Sequence, residues 1–423
     1  MHVELINTGS ELMLGRVLNT HQQWLCRQLA DLGYQVNRQI AISDDARQIQ
    51  EAVRESLTRS DLIILTGGLG PTSDDLTRDL IAQLLGRELL LDAEVLKRLE
   101  EFVEKRRRVM PPSMKVQAMV PVGARVLQND WGTAPGLAIE VRPNPFRPEG
   151  KTAWLILLPG PPRELRPMFK ERVVPLLMEV APPPAKLVCR ILRTTGLGES
   201  SVEEKIAGPL QKLVAAGLDL GYCARIGEVE VRLAASGELA ERLVDQAEVT
   251  VRQQLGSIIF AEGDETLEVT LVRMLTERGQ TLALAESCTG GMVAHRITNV
   301  PGASTVLKCG LVTYSNEAKQ NFLGVTAAAL AEHGAVSEVV ARQMAEGACQ
   351  KCGADFAISV SGIAGPGGGT EAKPVGTVFI ALAQPKGTIV QKNFNPFDRE
   401  TFKYVTSQQA LDFLRRALLD ITI

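Results

Sequence analysis

Thr281-Leu-Ala-Leu-Ala-Glu-Ser-Cys-Thr-Gly-Gly291 decides how the C-terminal third of the chain is read. It begins as a short apolar run and ends in small, polar and glycine residues. Thr281 to Ala285 reads as a buried strand, and Gly290 opens a helix. Ser287 then sits on a strand-to-helix turn, where its hydroxyl is expected to be exposed and to face the N–H groups of the helix start. Such N–H groups stabilise a phosphate or a developing oxyanion. The plainer alternative is that Glu286, Ser287 and Thr289 only cap the helix.

Three further segments in the same third look like parts of one site: Thr313-Tyr-Ser-Asn-Glu-Ala-Lys319, Gly362-Ile-Ala-Gly-Pro-Gly-Gly-Gly-Thr370 and Lys373-Pro-Val-Gly-Thr377. Around them, Thr266 to Arg278 reads as an amphipathic helix with Leu267, Leu271, Met274 and Leu275 inward. Strand and helix signals alternate through Gly310–Tyr314, Val339–Lys351, Asp355–Val360, Gly376–Leu382 and Glu400–Leu419. One α/β domain is expected.

Together the four segments resemble the C-terminal domain of CinA-type proteins, the nicotinamide mononucleotide (NMN) amidohydrolases, from about Leu267 to the end. Amide hydrolysis needs a nucleophile, a proton carrier and an oxyanion site. Ser287 is the expected nucleophile, with Cys288 the alternative. No histidine falls in any motif, which disfavours a Ser-His-Asp triad. Lys319 can act as base if burial lowers its pKa, and otherwise is a solvated helix lysine. A Ser–Lys pair is also what the resemblance implies. Tyr314 would orient substrate or relay a proton. Thr289 and Gly290 would complete an oxyanion site. Gly365, Gly368, Gly369 and Lys373 would bind substrate, and Arg399 would clamp its phosphate. The family has Gly-Asp-Arg where this chain has Pro396-Phe-Asp-Arg399, and a second arginine where this chain has Lys403. That departure, at Phe397 and Lys403, bears on the phosphate contacts. No cofactor is implied for this domain.

At 423 residues the chain is too long for one ordinary domain. Hydrophobic residues make up 45% and aromatics only 4%, which suits α/β cores of Val, Ile, Leu and Ala. A net charge of −3 argues against general nucleic-acid or anionic-membrane binding. No apolar run approaches membrane-spanning length, and the first residues enter a strand with no signal-peptide layout, so a cytoplasmic location is expected. The seven cysteines are scattered and unpatterned, which suggests reduced thiols; Cys349 and Cys352 form a lone CxxC. The four histidines do not cluster.

The N-terminal part alternates strand and helix: Val3–Asn7, Thr20–Leu32, Gln35–Ile42, Ala46–Leu57, Asp61–Thr66. This order predicts a doubly wound, mostly parallel sheet with ligands beyond the strands' carboxyl ends. There lie Thr8-Gly-Ser-Glu11, Ser43-Asp-Asp45 and Gly67-Gly-Leu-Gly-Pro-Thr-Ser-Asp-Asp-Leu-Thr77. Gly68 and Gly70 would let a phosphate approach the backbone. Glu11, Asp44, Asp74 and Asp75 would hold a hard divalent cation, unless these acids only cap helices. Ala93 to Arg108 reads as a helix whose basic end, Lys105-Arg-Arg-Arg108, is a solvated terminus. Lys115, in the following loop, is the candidate phosphate contact. Pro143 to Gly150 reads as a hairpin or surface insertion.

Gly67-Gly-Leu-Gly with Asp-Asp-Leu-Thr resembles the molybdopterin-binding fold. With Gly9-Ser-Glu11, Asn19-Thr20, Asp44-Asp45, Gly132-Thr-Ala-Pro-Gly136 and Leu158-Pro-Gly-Pro-Pro-Arg-Glu164, the set is similar to the CinA N-terminal domain. That resemblance implies metal-dependent hydrolysis of ADP-ribose to AMP and ribose 5-phosphate. The middle segment, after Pro182-Pro-Pro184, reads as a small α+β unit resembling the KH-like connector of that family. Its many acids, including Glu199, Glu203, Glu204, Glu228 and Glu230, favour a structural or dimerising role over nucleic-acid binding, although Arg225 to Glu230 could reach an active site.

The expected layout is therefore three domains, 1–180, 181–260 and 261–423. The expected function is pyridine-nucleotide salvage by two hydrolases in a homodimer. The alternative is a regulatory or molybdopterin-type binding protein with a degenerate N-terminal domain. A serine peptidase is disfavoured by the phosphate-type loops.

Overall fold

The computed structural model describes residues 1–107, 109–148, 150–183 and 187–421. Arg108, at the end of the basic run, and Pro184, at the end of the proline stretch, lie outside the described residues. The chain forms two compact units, 1–188 with 236–238, and 189–235 with 239–423.

The first unit is built on a six-stranded sheet in the order Val36–Ile42, Val3–Thr8, Leu62–Thr66, Ala153–Leu158, Gly136–Val141, Ala124–Leu127. The first four strands are parallel, and the last two join antiparallel. Val3–Thr8, Leu62–Thr66 and Ala153–Leu158 are buried at every residue, as strands covered on both faces must be. Successive side chains point to opposite faces. Leu62 and Ile64 therefore join Leu25 and Leu29 of helix Thr20–Asp31, while Ile63 and Leu65 join Ala52, Val53 and Leu57 of helix Ala46–Leu57. Strands Gly136–Val141 and Ala153–Leu158, which flank the stretch from Pro143, are antiparallel neighbours, and Glu149 within that stretch lies outside the described residues.

The second unit holds two sheets. The connector sheet has the order Asp219–Arg225, Glu228–Ser236, Leu187–Thr195, Ile259–Glu262, with helices Glu199–Ala215 and Ala240–Leu255. Strand Ile259–Glu262 completes this sheet by pairing antiparallel with Leu187–Thr195. The turn at Ile226-Gly227 does not reach a catalytic cleft. Glu228 is buried, pairs with Arg193 at 2.6 Å, and accepts from Gln408 Nε2 at 2.9 Å. Gln408 Oε1 in turn accepts from Arg296 at 2.6 Å, so the turn docks on the C-terminal helix.

The second sheet has the order Leu307–Val312, Leu282–Glu286, Phe356–Gly362, Thr377–Gln384, Gly387–Phe394, the first three strands parallel and the rest antiparallel. On one face lie Leu267, Leu271, Leu275, Phe402 and Leu411 of helices Leu267–Arg278 and Arg399–Leu418. On the other lie Ala341, Met344, Ala345 and Ala348 of helix Glu338–Cys352. The alanines among them let neighbouring elements approach closely. A Cβ at Gly347 would strike the Leu323 carbonyl, the end of the helix Asn316–Leu323 that carries Lys319.

Cys309 and Cys352 form a disulfide, contrary to the expectation of reduced thiols throughout. The fold brings them together across a separation of 43 residues, which no local spacing reveals. No helix among the described residues is long and apolar enough to cross a membrane.

Candidate functional site

Ser287 follows strand Leu282–Glu286, and its N–H donates to Val360 O at 3.0 Å, extending the pairing with the next strand. This holds the residue down: it is 9% exposed, where the sequence suggested an open hydroxyl. The helix start is capped from below. Glu286, 1% exposed, accepts from the N–H groups of Gly291 at 3.0 Å, Val293 at 3.1 Å and Ala294 at 2.8 Å. Those N–H groups are therefore not available to Ser287. Gly290 N–H donates to Ser287 O at 3.1 Å, and Thr289 is fully buried with its hydroxyl unpartnered. Neither is among the residues that line the cleft.

Lys319 is reached through a well-capped turn. Ser315 caps helix Asn316–Leu323 by accepting from Ala318 N–H at 3.0 Å, which turns Lys319 inward. Lys319 is 1% exposed, and its three hydrogen-bond partners are all neutral. Nζ lies 2.8 Å from Thr313 O, 3.3 Å from Tyr314 O and 3.1 Å from Ser287 Oγ. Burial holds the amine below the ordinary lysine value. In its neutral form the amine would keep two N–H groups for the two carbonyls and one lone pair for the Ser287 O–H. Cys288 is 5% exposed, and burial pushes its thiol up to about 12, so it stays protonated.

Ser287 and Lys319 open into a cleft of about 290 Å³. Its walls include Tyr314, Ala335, Val336, Ser361, Gly365, Gly367, Gly368 and Arg399. Arg399 donates to Gly365 O and to Tyr314 Oη, both at 2.8 Å, so it fixes the glycine loop and the tyrosine together. Tyr314 is a rim residue, and its hydroxyl engages Arg399 rather than the Ser–Lys pair. Gly365 and Gly368 take the left-handed conformation, φ +72° and +88°. Gly369 and Lys373 lie outside the lining. Gly369 packs on Val375, and Lys373 Nζ donates to His333 O at 2.7 Å. Lys403 stands beside Gly290, not on the cleft wall. Ala335, Val336 and Ser361 carry no local motif signal; Ser361 Oγ donates to Ala335 O at 2.7 Å and joins the two wall segments.

The first unit has its own cleft, of about 360 Å³, at the carboxyl ends of the parallel strands. It brings together Glu11, Asp44, Gly68, Gly70, Asp74 and Asp75 from three successive strand ends, as the sequence indicated. Gly68 has φ +66°, and a side chain there would strike Thr77. The carboxylates line the cleft without converging. Asp44 accepts from Ser10 N–H at 2.8 Å, and Asp75 from Thr72 N–H at 3.0 Å. Among the described residues no three His, Cys, Asp or Glu side chains stand close enough to hold a metal ion by themselves. The donors are all hard oxygens, which fits a cation shared with substrate phosphates and water rather than one caged by protein.

Lys115 is exposed on the 3₁₀ turn Pro112–Ala118 and is not part of the lining; Gln117, two residues on, is. Glu164 is a residue to which the sequence reading gave no role. It is 7% exposed, lines the cleft, and accepts from Asn129 Nδ2 at 2.8 Å. Gly132 is required beside it, since a Cβ there would collide with the carboxylate.

Three family models match the chain. Residues 4–179 match the probable molybdopterin binding domain, residues 189–261 the damage-inducible protein CinA KH domain, and residues 264–418 the CinA C-terminal domain. A CinA-like protein of Akkermansia muciniphila is 44% identical, over 97% of this chain and 96% of its own. A CinA-like protein of Dictyoglomus thermophilum is 41% identical, with all of both chains covered. Among solved structures, the competence/damage inducible protein CihA from Agrobacterium tumefaciens is 40% identical over 36% of this chain and 93% of its own, with a TM-score of 0.35.

Proposed function

This chain belongs to the CinA family of competence/damage-inducible proteins, and we propose that its C-terminal domain hydrolyses the carboxamide of NMN to nicotinate mononucleotide and ammonia. The observation that carries this reading is Lys319 Nζ, buried among neutral partners 3.1 Å from Ser287 Oγ. A lysine whose neutral form is favoured by desolvation is suited to act as a base, and a serine within its reach is suited to act as a nucleophile.

In the proposed reaction Ser287 Oγ attacks the carboxamide carbon as its proton passes to Nζ. The carbonyl oxygen becomes an oxyanion. As the tetrahedral intermediate collapses, the C–N bond breaks and Lys319 returns the proton to the leaving nitrogen, which departs as ammonia. Water, deprotonated by Lys319, then splits the acyl-serine ester. The glycine loop is suited to the oxyanion or the phosphate, since the N–H groups of Gly365, Gly367 and Gly368 take no part in backbone hydrogen bonds among the described residues. Arg399 is the cation nearest at hand for the phosphate.

For the N-terminal cleft the reading is metal-dependent hydrolysis of ADP-ribose to AMP and ribose 5-phosphate. It is supported by glycines whose backbone is open to a diphosphate and by carboxylates at three strand ends. A divalent ion bound there would neutralise diphosphate charge and present water; Glu11, Asp44, Asp74 and Asp75 are the side chains that would share it. The assembly is proposed to be a homodimer acting on small molecules. The two reactions separate in one experiment. With EDTA present, purified protein should release ammonia from NMN and leave ADP-ribose intact, and added magnesium should restore AMP formation. Ammonia release that disappears with EDTA would contradict the metal-free mechanism.

A further inference from the structure

Gln117 lines the N-terminal cleft and is 1% exposed, yet neither its Nε2 nor its Oε1 has a hydrogen-bond partner. Buried side-chain amides are nearly always satisfied, so one left unpaired at both ends beside a cleft marks a place for a ligand group. The residue is held firmly. It is the next-to-last residue of the 3₁₀ turn Pro112–Ala118, whose Ala118 packs on Val95 and Leu99 and accepts from Asp92 N–H at 2.8 Å.

The rest of the cleft offers different chemistry. The Gly67–Gly70 backbone suits phosphate oxygens, and Glu11, Asp44, Asp74 and Asp75 suit a cation. Glu164 is an acceptor fixed by Asn129, which suits sugar hydroxyls. None of these side chains presents a neutral donor and acceptor side by side, and a side-chain amide does. Adenine presents the complementary pair on one edge, an amino group beside a ring nitrogen, and Asn or Gln pairs with that edge in two hydrogen bonds.

We propose that Gln117 reads the adenine of a nucleoside-diphosphate sugar: Oε1 accepts from the exocyclic 6-amino group, and Nε2 donates to the neighbouring ring nitrogen. The inference rests on the reading of this cleft as a nucleoside-diphosphate site, and it makes Gln117 a determinant of base specificity. Sites built to hydrogen-bond a polar group reject analogues that lack it, because their own polar atoms are then left buried and unpaired.

The test is isothermal titration of the full chain, with magnesium, using ADP-ribose and its analogue in which the 6-amino group is replaced by hydrogen. The wild type should bind ADP-ribose at least about tenfold more tightly. In Gln117→Leu, checked for an unchanged melting temperature, the ratio should fall to near one, chiefly by weaker binding of ADP-ribose. Equal affinities in the wild type, which need no variant to measure, would overturn the proposal. So would a ratio retained in Gln117→Leu, or binding of neither ligand. Hydrolysis is followed in parallel. Discrimination in binding without cleavage would uphold base reading and contradict the hydrolase reading. Cleavage of both ligands alike would contradict base reading and uphold the hydrolase.

Discussion

The two clefts hold ionisable groups in opposite ways. In the C-terminal cleft one lysine is taken out of water, given only neutral partners, and set against one serine. In the N-terminal cleft several carboxylates remain near solvent and do not meet. The first arrangement stores reactivity in the protein, as a base whose neutral form is favoured by burial. On the proposed reading, the second is incomplete until a cation and a diphosphate are bound. Catalytic readiness without added ions should therefore belong to one end of the chain only.

The largest break in that comparison should come from Lys319→Met. Ammonia release from NMN should fall by roughly 10³-fold or more, since a serine without its base is a weak nucleophile, while ADP-ribose hydrolysis keeps its rate. Activity within a factor of ten of wild type, by a coupled ammonia assay, would remove Lys319 from the mechanism. Arg399→Ala should be next. Loss of a charge-assisted contact to phosphate should raise KM for NMN by about 10- to 100-fold, with a smaller change in kcat; an unchanged KM would move the phosphate elsewhere.

The pH dependence sharpens the same point. Folded Lys319 has a lowered pKa, against an ordinary value of 10.5. Between those two values the unfolded chain binds the extra proton, so stability relative to Lys319→Met should rise with pH across that window, and it should be constant above 10.5. The rate of ammonia release should rise through the same lowered pKa. Parallel denaturation curves at several pH values would expose a solvated, ordinary lysine. The smallest effect should be that of Cys288→Ala, within about threefold in kcat/KM, because a thiol at about 12 is neither nucleophile nor base at neutral pH.

Much of the fold was legible where one period dominates. Helix Ala46–Leu57 buries Ile49, Ala52, Val53 and Leu57, as its 3.6-residue spacing dictates, and the fully apolar runs became parallel strands. Strand Gly387–Phe394 was not legible: it is a half-exposed edge strand with Lys392 and Asn393 among its residues, so burial leaves only a faint pattern. In the C-terminal site, Ser287, Lys319 and Arg399 were legible as types at motif positions. The carboxylate of Glu286 takes up the helix-start N–H groups that the sequence offered to Ser287, because which side chain fills a helix start depends on its rotamer and depth. Gln117, Glu164 and the Cys309–Cys352 pair became visible only through contacts between distant segments.

The most direct measurement is ammonia release from NMN by the wild type and by Ser287→Ala, both folded and both in EDTA. The account predicts steady release by the wild type and background release by the variant. Equal release by both would contradict it, leaving Ser287 as a residue of the turn and not the nucleophile.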